Sequence, residues 1–461
     1  MPISLRTIDQ RQVPMPVPNI VYIHSHDTGR YVQPYGHAIP TPHIQQLAEE
    51  GVLFRQAFCA NPTCSPSRAC LLTGQWAHSC GMTGLVNRGW TLPYPERLLT
   101  HTLQKAGYTT AMAGFQHVVA DIDDGGFTRL LPQEAPDTQT EDRAAAFLAE
   151  DHRAPFYLDV GFGETHRQRR GFAPQPQGEA PTDPRYVRPS APFPDTPETR
   201  QDMAEYIDAA RTLDAKMGRV FATLRDNGLA DNTLVICTTD HGIAFPTMKC
   251  NLTDHGIGVM LVLRGPGGFS GGQVVDALVS QIDIYPTICA LAGIELSDHV
   301  QGTSLLPLVN GQTREIRREI FAEVNYHTYY EPQRCIRTPR FKYIRRFDQR
   351  QYPVMPNCDD SLTKDYFIDQ GWQQRSLERE RLYDLIFDPH ETHNLAAAPN
   401  CQDHLEELRQ HLDQWMQDTD DPLAYGRPVV PPATAVVNDP DARSASEPHH
   451  PAREFLGIYP E

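Results

Sequence analysis

The segment Cys64–Arg68 reads Cys-Ser-Pro-Ser-Arg and places a thiol four residues before a guanidinium. Its proline and the apolar residues that follow predict a tight turn leading into a helix, whose first N–H groups have no partner within the helix. A thiol beside free N–H groups and a guanidinium is well placed to contact an anion. The segment alone leaves a second interpretation open, because a buried cysteine often serves packing and nothing else.

Four short apolar runs, each typical of a buried parallel strand, lead into segments that contain histidine or aspartate. The runs and their polar exits are Asn19–Ile23 with His24–Gly29, Tyr108–Ala113 with Gly114–His117, Phe156–Val160 with Gly163–His166, and Thr233–Cys237 with Thr238–Gly242. In an α/β sheet, ligands bind just past the carboxyl ends of the strands. We therefore expect the side chains of these exits to meet at one edge of a sheet.

The order of the predicted elements defines the fold class. Strands alternate with helices over roughly the first 300 residues, which predicts an α/β domain with a mostly parallel sheet sandwiched by helices. Apolar residues at helical spacing between Tyr206 and Leu224 predict a helix that packs on the core. Thr41–Gly51 and Asp283–Gly293 predict further helices, and Ile257–Leu263 predicts another buried strand.

The pattern changes from about Glu319 to short strand-like runs, followed by an amphipathic helix with Leu405 and Trp415 on its apolar face. This change predicts a smaller C-terminal α+β domain. We expect a catalytic α/β domain at residues 1–318, the smaller domain at 319–417 and a C-terminal extension at 418–461. The extension is rich in proline and aspartate, and we expect it to wrap the surface or a neighbouring subunit, which leaves a homo-oligomer open.

Composition narrows the classes of partner. The chain has 461 residues and a formal net charge of −17, which argues against nucleic acid because phosphate contacts need a basic surface. No apolar run is long enough to cross a bilayer, and Met1 to Pro18 lack the apolar core of a signal peptide. We therefore expect a cytoplasmic protein without a membrane partner. Its ten cysteines show no paired C-x-x-C pattern and are expected to be free thiols.

Taken together, these motifs resemble the type I sulfatases, in which the cysteine of a C-x-P-S-R motif is oxidised to formylglycine. The resemblance runs in the family's order from about residue 18 to 396. It rests on Pro18–Val21, Cys64–Arg68 with Leu72–Gly74, Asn232–Val235, Asp240–Gly242, Asp283–Thr287, Gln301–Pro307, and Leu382–Leu385 with Asp388-Pro389. It implies the alkaline phosphatase-like fold, which agrees with the α/β prediction above, and its general appearance is nearest the sulfamidase-like branch.

The resemblance also implies a reaction. Cys64 would become an aldehyde that hydrates, and one hydrate oxygen, activated by a divalent metal, would attack the sulfur of a sulfate monoester or sulfamate. The second hydroxyl would then release sulfate and restore the aldehyde. The implied partners are a small-molecule sulfate ester or sulfamate and, during maturation, a formylglycine-generating enzyme.

Roles for individual residues follow from the same resemblance. The implied catalytic residues are Cys64, Arg68, His117, His166 and Lys249. The implied metal ligands are His26, Asp27, Asp240, His241 and an oxygen of the group derived from Cys64, a set that suits calcium or manganese. The basic residues His327, Arg334 and Arg337 are expected either to bind a sugar or carboxylate of the substrate or to lie at a domain interface.

The chain departs from the family pattern at two positions. His26 stands where the family has the first of two adjacent aspartates, and Phe115 stands where it has a lysine. The first change replaces a carboxylate with an imidazole and favours manganese, zinc or iron over calcium. The second removes a cation that would balance the sulfate. We therefore hypothesise a different or a second metal ion, with His26 and either His24 or His117 among its ligands.

Two other functions remain open from the sequence. The same nucleophile and metal suit a phosphodiester or phosphonate monoester hydrolase, because the reacting group is again tetrahedral. A catalytically silent sulfatase-like binding protein is the alternative from another class, and the changes at His26 and Phe115 make it plausible. The sequence also leaves open whether the sulfate is carried on oxygen or on nitrogen.

Overall fold

The computed structural model describes residues 17–132 and 139–460. The first sixteen residues, for which the sequence analysis expects no signal peptide, lie outside the described residues. The strands of the larger domain are β1 (Asn19–Ser25), β2 (Val52–Phe54), β3 (Ala57–Phe58), β4 (Thr109–Gly114), β5 (Arg129–Leu130), β6 (Phe156–Gly161), β7 (Thr233–Thr239), β8 (Leu261–Arg264), β9 (Gln273–Val275) and β10 (Val279–Ser280). Its helices are α1 (Pro42–Glu50), α2 (Cys64–Thr73), α3 (Ala77–Cys80), α4 (Leu99–Lys105), α5 (Thr140–Leu148), α6 (Pro197–Asp226), α7 (Asp254–Ile257), α8 (Ile284–Ala292) and α9 (Leu306–Val309).

The main sheet has eight strands in the order β5-β4-β6-β1-β7-β8-β2-β9. Strand β1 is parallel to β6 on one side and to β7 on the other. Strands β4 and β6 are also parallel, whereas β8 runs antiparallel to both β7 and β2. The predicted mostly parallel sheet is confirmed, and the polar exits of β1, β4, β6 and β7 therefore leave it on the same edge.

Strand β1 is buried on both faces, so its alternate side chains enter two different cores. Ile20 and Tyr22 pack with residues of α2, α4 and α8. Val21 and Ile23 pack with residues of α1, α5 and α6. Helices thus cover both faces of the sheet, which explains why the strand is apolar along its length.

Two local predictions were wrong. The strand expected at Ile257–Leu263 begins only at Leu261, because its first residue ends the short helix α7, where Gly256 accepts a hydrogen bond from Gly242 N–H at 2.8 Å. Cys64 does not stand in a turn ahead of a helix but is the first residue of α2. Pro66 is accepted in that first turn because the N–H groups there have no partner within the helix.

The smaller C-terminal α+β domain is confirmed. Its antiparallel sheet consists of β11 (Ile320–Tyr326), β12 (Tyr330–Arg337), β13 (Phe341–Arg346) and β14 (Glu380–Asp384). Its helices are α10 (Leu362–Asp369) and α11 (Gln402–Asp418). Leu405, Leu412 and Trp415 of α11 share a core with Trp76 of the larger domain. The two domains are therefore packed together, and the boundaries at 318 and 417 stay predictions.

The C-terminal extension lies across both domains. It carries β15 (Val436–Asn438), β16 (His449–Pro451) and α12 (Ala452–Leu456). Thr434 donates to the carbonyl of Gly89 at 2.7 Å, and the ammonium of Lys364 donates to the carbonyl of Arg443 at 2.7 Å. In the described part of the chain, no helix has both the length and the apolar character needed to cross a membrane.

A buried ionic network joins the two domains and the extension. Arg334 is fully buried, and its Nη2 lies 3.1 Å from Asp421 Oδ1 and 3.4 Å from Glu323 Oε2. His78 Nδ1 lies 2.7 Å from Glu323 Oε1. Of the two interpretations of Arg334, the domain-interface one fits this geometry, because its guanidinium is enclosed by protein carboxylates.

We expect Arg334→Ala to lower the free energy of unfolding by about 3–5 kcal/mol, because it leaves Glu323 and Asp421 buried with less compensation. Urea unfolding would measure the change. The control Arg55→Ala removes an exposed pair with Asp276 and should cost less than about 1 kcal/mol. Wild-type stability with weakened substrate binding would contradict the structural role of Arg334.

Candidate active site and metal centre

The centre of the site lies where β1 and β7 end side by side. The two strands are parallel, with Ser25 paired to Thr239, so the residues that follow them are neighbours. Asp27 has a φ of 51°, a left-handed conformation that turns the chain sharply after β1. Its backbone N–H donates to Asp240 Oδ1 at 2.8 Å. The two aspartate loops are thereby locked to each other.

A compact group of potential ligands forms there. Ligand atoms of His26, Asp27, Cys64 and Asp240 all lie within 4.8 Å of one another, and all four residues are buried. His241 Nε2 joins them, at 3.4 Å from Cys64 Sγ, 3.4 Å from Asp27 Oδ1 and 3.6 Å from Asp240 Oδ2. Two carboxylates and two imidazoles around one point form a donor set suited to a divalent transition metal.

The protonation of these groups also fits a metal. His241 Nδ1 lies 3.0 Å from the carbonyl oxygen of Gly242, so Nδ1 carries the proton and Nε2 is free for a metal. Burial, with Arg68 adding to it, lowers the pKa of His26 well below its usual value and keeps the imidazole in the neutral form that ligates. His26 Nδ1 lies 3.3 Å from Asp240 Oδ2, and Asp27 Oδ1 lies 3.4 Å from His241 Nε2, but neither buried atom forms a hydrogen bond with the described residues. Both atoms are therefore available to ligate an ion.

Burial opposes the charge of Asp240, but His241 and Arg68 outweigh it and hold the pKa of the carboxyl well below its usual range. Asp240 is therefore ionised and available as a ligand. The residues present fit a divalent metal.

Lys249 contacts the cluster from the side of the C-terminal domain. Its Nζ lies 3.0 Å from Asp27 Oδ2 and 3.1 Å from Asp359 Oδ2. Burial opposes its charge, but Asp27 and Asp359 outweigh burial and raise the pKa of the ammonium well above its usual value. Asp359 was not predicted, and its short Cys-Asp-Asp context between β13 and α10 carries no motif that would have indicated it.

Two histidines flank the cluster. His166 Nε2 lies 3.9 Å from Asp27 Oδ2, and its Nδ1 lies 2.8 Å from the carbonyl oxygen of Arg167. His117 Nε2 lies 3.2 Å from Asn87 Oδ1. Burial, with Arg68 adding to it, lowers the pKa of His117 to about 4, so this imidazole is neutral at pH 7.

Phe115 occupies the region where the resemblance would place a lysine. Its ring centroid lies 4.3 Å from that of His26 and 5.6 Å from that of His117. The carbon Cζ of Arg68 lies 5.7 Å from the same ring. An apolar ring thus packs on a potential metal ligand in place of the cation that is missing.

Arg68 is held by a chain of buried groups. Its Nη1 lies 2.6 Å from His24 Nδ1, and its Nη2 lies 2.9 Å from the carbonyl oxygen of Ser25 and 3.0 Å from Asp240 Oδ2. His24 Nε2 in turn lies 2.8 Å from Asp159 Oδ1. A guanidinium only donates, so His24 accepts at Nδ1 and donates from Nε2. With both nitrogens engaged, His24 is not a metal ligand, and that part of the second-metal hypothesis was wrong.

Asp159 belongs to β6 and pairs in register with Tyr22 of β1. Its role was not predicted from the sequence, although one signal was present. A carboxylate inside the apolar run Phe156–Val160 of a buried strand requires a partner. Its partners are His24 and, at 3.3 Å, the hydroxyl of Tyr157.

The three predicted substrate-binding residues are placed differently. His327 is buried, and burial together with the charge of Lys249 lowers its pKa well below the usual value. Arg337 Nη2 lies 3.2 Å from Asp254 Oδ2 and 3.1 Å from Gln56 Oε1. Arg334 lies in the domain network described above. Neither guanidinium is brought to the cluster.

This arrangement defines an α/β enzyme whose site lies past the carboxyl ends of its central parallel strands. A family model described as Sulfatase matches residues 18–294, and one described as N-sulphoglucosamine sulphohydrolase, C-terminal, matches residues 248–361. The chain therefore belongs to the sulfatase family and is a sulfuric ester hydrolase by class.

Individual relatives agree with the family. The chain is 31% identical to N-sulphoglucosamine sulphohydrolase of Homo sapiens, over 84% of this chain and 87% of that protein. It is 29% identical to an ulvan-active sulfatase of Formosa agariphila, over 90% of this chain and 84% of that protein. A solved structure of a 2-O GAG sulfatase is similar with a TM-score of 0.68 and 22% identity, covering 95% of this chain and 100% of that chain, which shows the shared fold.

We expect His26→Asp to shift the metal preference towards calcium, because it replaces a nitrogen donor with the oxygen donor that calcium prefers. Calorimetric titration of metal-free protein should show tighter binding of Mn²⁺ than of Ca²⁺ in the wild type. The variant should change that ratio by about tenfold or more. The exposed His390 provides the control variant His390→Asp. Identical calcium affinity in all three proteins would show that His26 does not bind the ion.

We expect Asp159→Asn to lower kcat/KM about 10- to 100-fold, because His24 loses the charged acceptor that orients it towards Arg68. The matched control is Tyr157→Phe, which removes the other contact of Asp159 and leaves the pairing with His24 intact. Its effect should be smaller than threefold or so. Equal losses in the two variants would indicate a general packing effect, so thermal unfolding of both is measured alongside the kinetics.

Proposed function

We propose that this enzyme cleaves a sulfate monoester or a sulfamate by means of a formylglycine derived from Cys64 and a divalent metal held by His26, Asp27, Asp240 and His241. The observation that carries the proposal is the position of Cys64. Its side chain is the first of helix α2, and its Sγ lies within the same 4.8 Å group as two carboxylates and an imidazole. A group at this position faces both the proposed metal and any anion bound to it.

An unmodified thiol suits this role poorly. Burial raises the pKa of the Cys64 thiol well above its usual value, so it remains protonated at neutral pH. A protonated thiol is a weak nucleophile and a weak ligand. When formylglycine and the metal are both present, the hydrated aldehyde supplies the oxygen nucleophile and the metal supplies the positive charge that activates it.

The charges of the site support the need for a metal. Within the described cluster, Arg68 and Lys249 are the cations, and Asp27, Asp240 and Asp359 are the carboxylates. Two positive charges against three negative ones leave the site unfavourable for a sulfate. A divalent ion reverses that balance, and with Phe115 in place of a lysine this chain depends on it more strongly.

The remaining side chains orient the reactants. Arg68 is fixed by His24 and Asp240 and presents Nε, which is buried and lacks a partner in the residues described, for an oxygen of the nucleophile or of the sulfate. His166 is anchored through Nδ1 and turns Nε2 towards the cluster, where it is placed to exchange a proton with the leaving group. His117 is neutral at pH 7 and therefore orients by hydrogen bonding instead of acting as an acid.

The relatives named above point to sugar substrates. One is named as a sulphohydrolase of N-sulphoglucosamine and another as a sulfatase active on ulvan. We propose a sulfated or N-sulfated sugar as the substrate class.

The decisive test is co-expression with a formylglycine-generating enzyme, followed by peptide mass analysis at Cys64 and assays on an aryl sulfate, a sulfamate and an aryl phosphodiester. We expect conversion of the cysteine to the aldehyde and turnover of a sulfur substrate. Cys64→Ala should lower kcat by about 10³-fold or more, because the nucleophile is lost. Cys70→Ala changes a buried thiol of the same helix and serves as the control.

Two outcomes would contradict the proposal. A strong preference for the phosphodiester would identify the chain as a phosphodiester or phosphonate monoester hydrolase. An unconverted thiol, in a host shown to convert another sulfatase, together with no turnover would support the silent binding protein.

A further inference from the structure

We propose that Arg88 forms a second anion-binding position beside the active site, and that the substrate therefore carries a second anionic group, a carboxylate or a sulfate, in addition to the sulfate that is cleaved. This inference rests on the proposed function, because it assumes that the cluster around Cys64 holds the sulfate that is cleaved.

Arg88 is a buried cation without an anionic partner. It is only 7% exposed, and its Nη1 is buried with no hydrogen-bond partner in residues 17–132 and 139–460. Its Nη2 donates to the carbonyl oxygen of Ala445 at 3.5 Å, and no carboxylate of the described chain forms an ion pair with it. Burial lowers the pKa of Arg88 to about 10, so it still carries its charge at neutral pH. Buried arginines are normally paired, and this one is not.

The position of Arg88 relates it to the site. It ends the short turn Val86–Arg88, and the N–H of Val86 donates to Ser65 Oγ at 3.1 Å, one residue after Cys64. The next residue, Asn87, contacts His117 at 3.2 Å. The turn that carries Arg88 therefore lies directly against the start of α2 and a flanking histidine.

The segment that carries His327 lies between the cluster and the extension that contacts Arg88. The N–H of the next residue, Thr328, donates to Asn357 Oδ1 at 2.9 Å, two residues before the Asp359 that pairs with Lys249. The carbonyl oxygen of Thr328 accepts from the N–H of Asn438 in the extension at 2.8 Å. His327 Nδ1 is buried and lacks a partner within the described segments. Arg88 and His327 are thus two buried side chains, each with an unpartnered nitrogen, on segments that adjoin the site.

The guanidinium is held in place by the C-terminal extension. Thr434 donates to the carbonyl of Gly89, the residue after Arg88, at 2.7 Å. A Cβ on Gly89 would lie 2.2 Å from the carbonyl oxygen of Thr434, so the two segments are in close contact. The turn that carries Arg88 is therefore held against the extension before a ligand arrives, which lowers the entropic cost of binding.

The chemistry of the ligand follows from the unpaired charge. A neutral sugar hydroxyl would satisfy the hydrogen bond at Nη1 but would leave the buried charge uncompensated. An oxyanion satisfies both, and the planar fork of a guanidinium fits the two oxygens of a carboxylate or a sulfate. A second anionic group on the substrate is therefore favoured over a neutral one.

The test measures binding to the full chain carrying Cys64→Ala, loaded with metal, so that no ligand is turned over. Two ligand pairs differ in one charge: 4-sulfooxybenzoate against its methyl ester, and glucosamine 2-N,6-O-disulfate against glucosamine N-sulfate. We expect the more anionic member of at least one pair to bind about 10- to 100-fold tighter. The pair with the larger ratio identifies the second group as carboxylate or sulfate.

Adding Arg88→Gln should bring that ratio close to one, whereas the less charged ligand should bind as before. The control Arg55→Gln, at an exposed arginine, should leave the ratio unchanged. Equal affinities for the two ligands of both pairs would overturn the inference, even before a variant at Arg88 is measured. An affinity ratio that stays the same in the Arg88→Gln variant would also overturn it.

The two proposals fail in different ways. Turnover of the methyl ester by the matured wild type, with no charge preference, would leave the sulfatase proposal intact and remove the second anion site. A charge preference without any turnover would support the anion site and contradict the proposed reaction.

Discussion

The site depends on two carboxylates, Asp27 and Asp240, that are buried beside each other at the ends of adjacent parallel strands. Asp240 Oδ1 accepts from the backbone N–H groups of Asp27 and of His241, so the charge is placed by the backbone itself. Burying a carboxylate costs several kcal/mol unless positive groups compensate it. Positive groups lie on both sides of the pair, with Arg68 on one side and Lys249 on the other. The space between the two carboxylates would accept a divalent ion.

The departure at Phe115 changes how the remaining cations are used. Arg68 and Lys249 are the fixed cations near Cys64, and Arg68 is anchored by His24, whose second nitrogen is bound to Asp159. A donor that is already oriented in a low-dielectric site stabilises developing charge without having to reorganise. In this chain the guanidinium of Arg68 is thus held by three buried groups, His24, Ser25 and Asp240, on the side of the site where Phe115 provides no charge.

The second domain completes the site as well as supporting it. Asp359 comes from the C-terminal domain and pairs with Lys249, while the extension holds the turn that carries Arg88. The network around Arg334 ties the same three parts of the chain together. Damage to that junction is therefore expected to affect both the stability of the protein and the geometry on the substrate side of the site.

The sequence by itself determined the α/β fold, the smaller second domain and the residues at the centre of the buried cluster, because each of these depends on local pattern. Asp27, Asp240 and His241 each lie within a residue or two of the carboxyl end of a strand, and that end can be predicted from the sequence. Tertiary structure alone decided which distant groups meet them. His24 and Asp159 are 135 residues apart, and Lys249 and Asp27 are 222 apart, so no periodicity or motif relates them. Packing between remote segments likewise decides whether a buried arginine has a carboxylate partner. Arg334 has such partners, whereas Arg88 has none among the described residues.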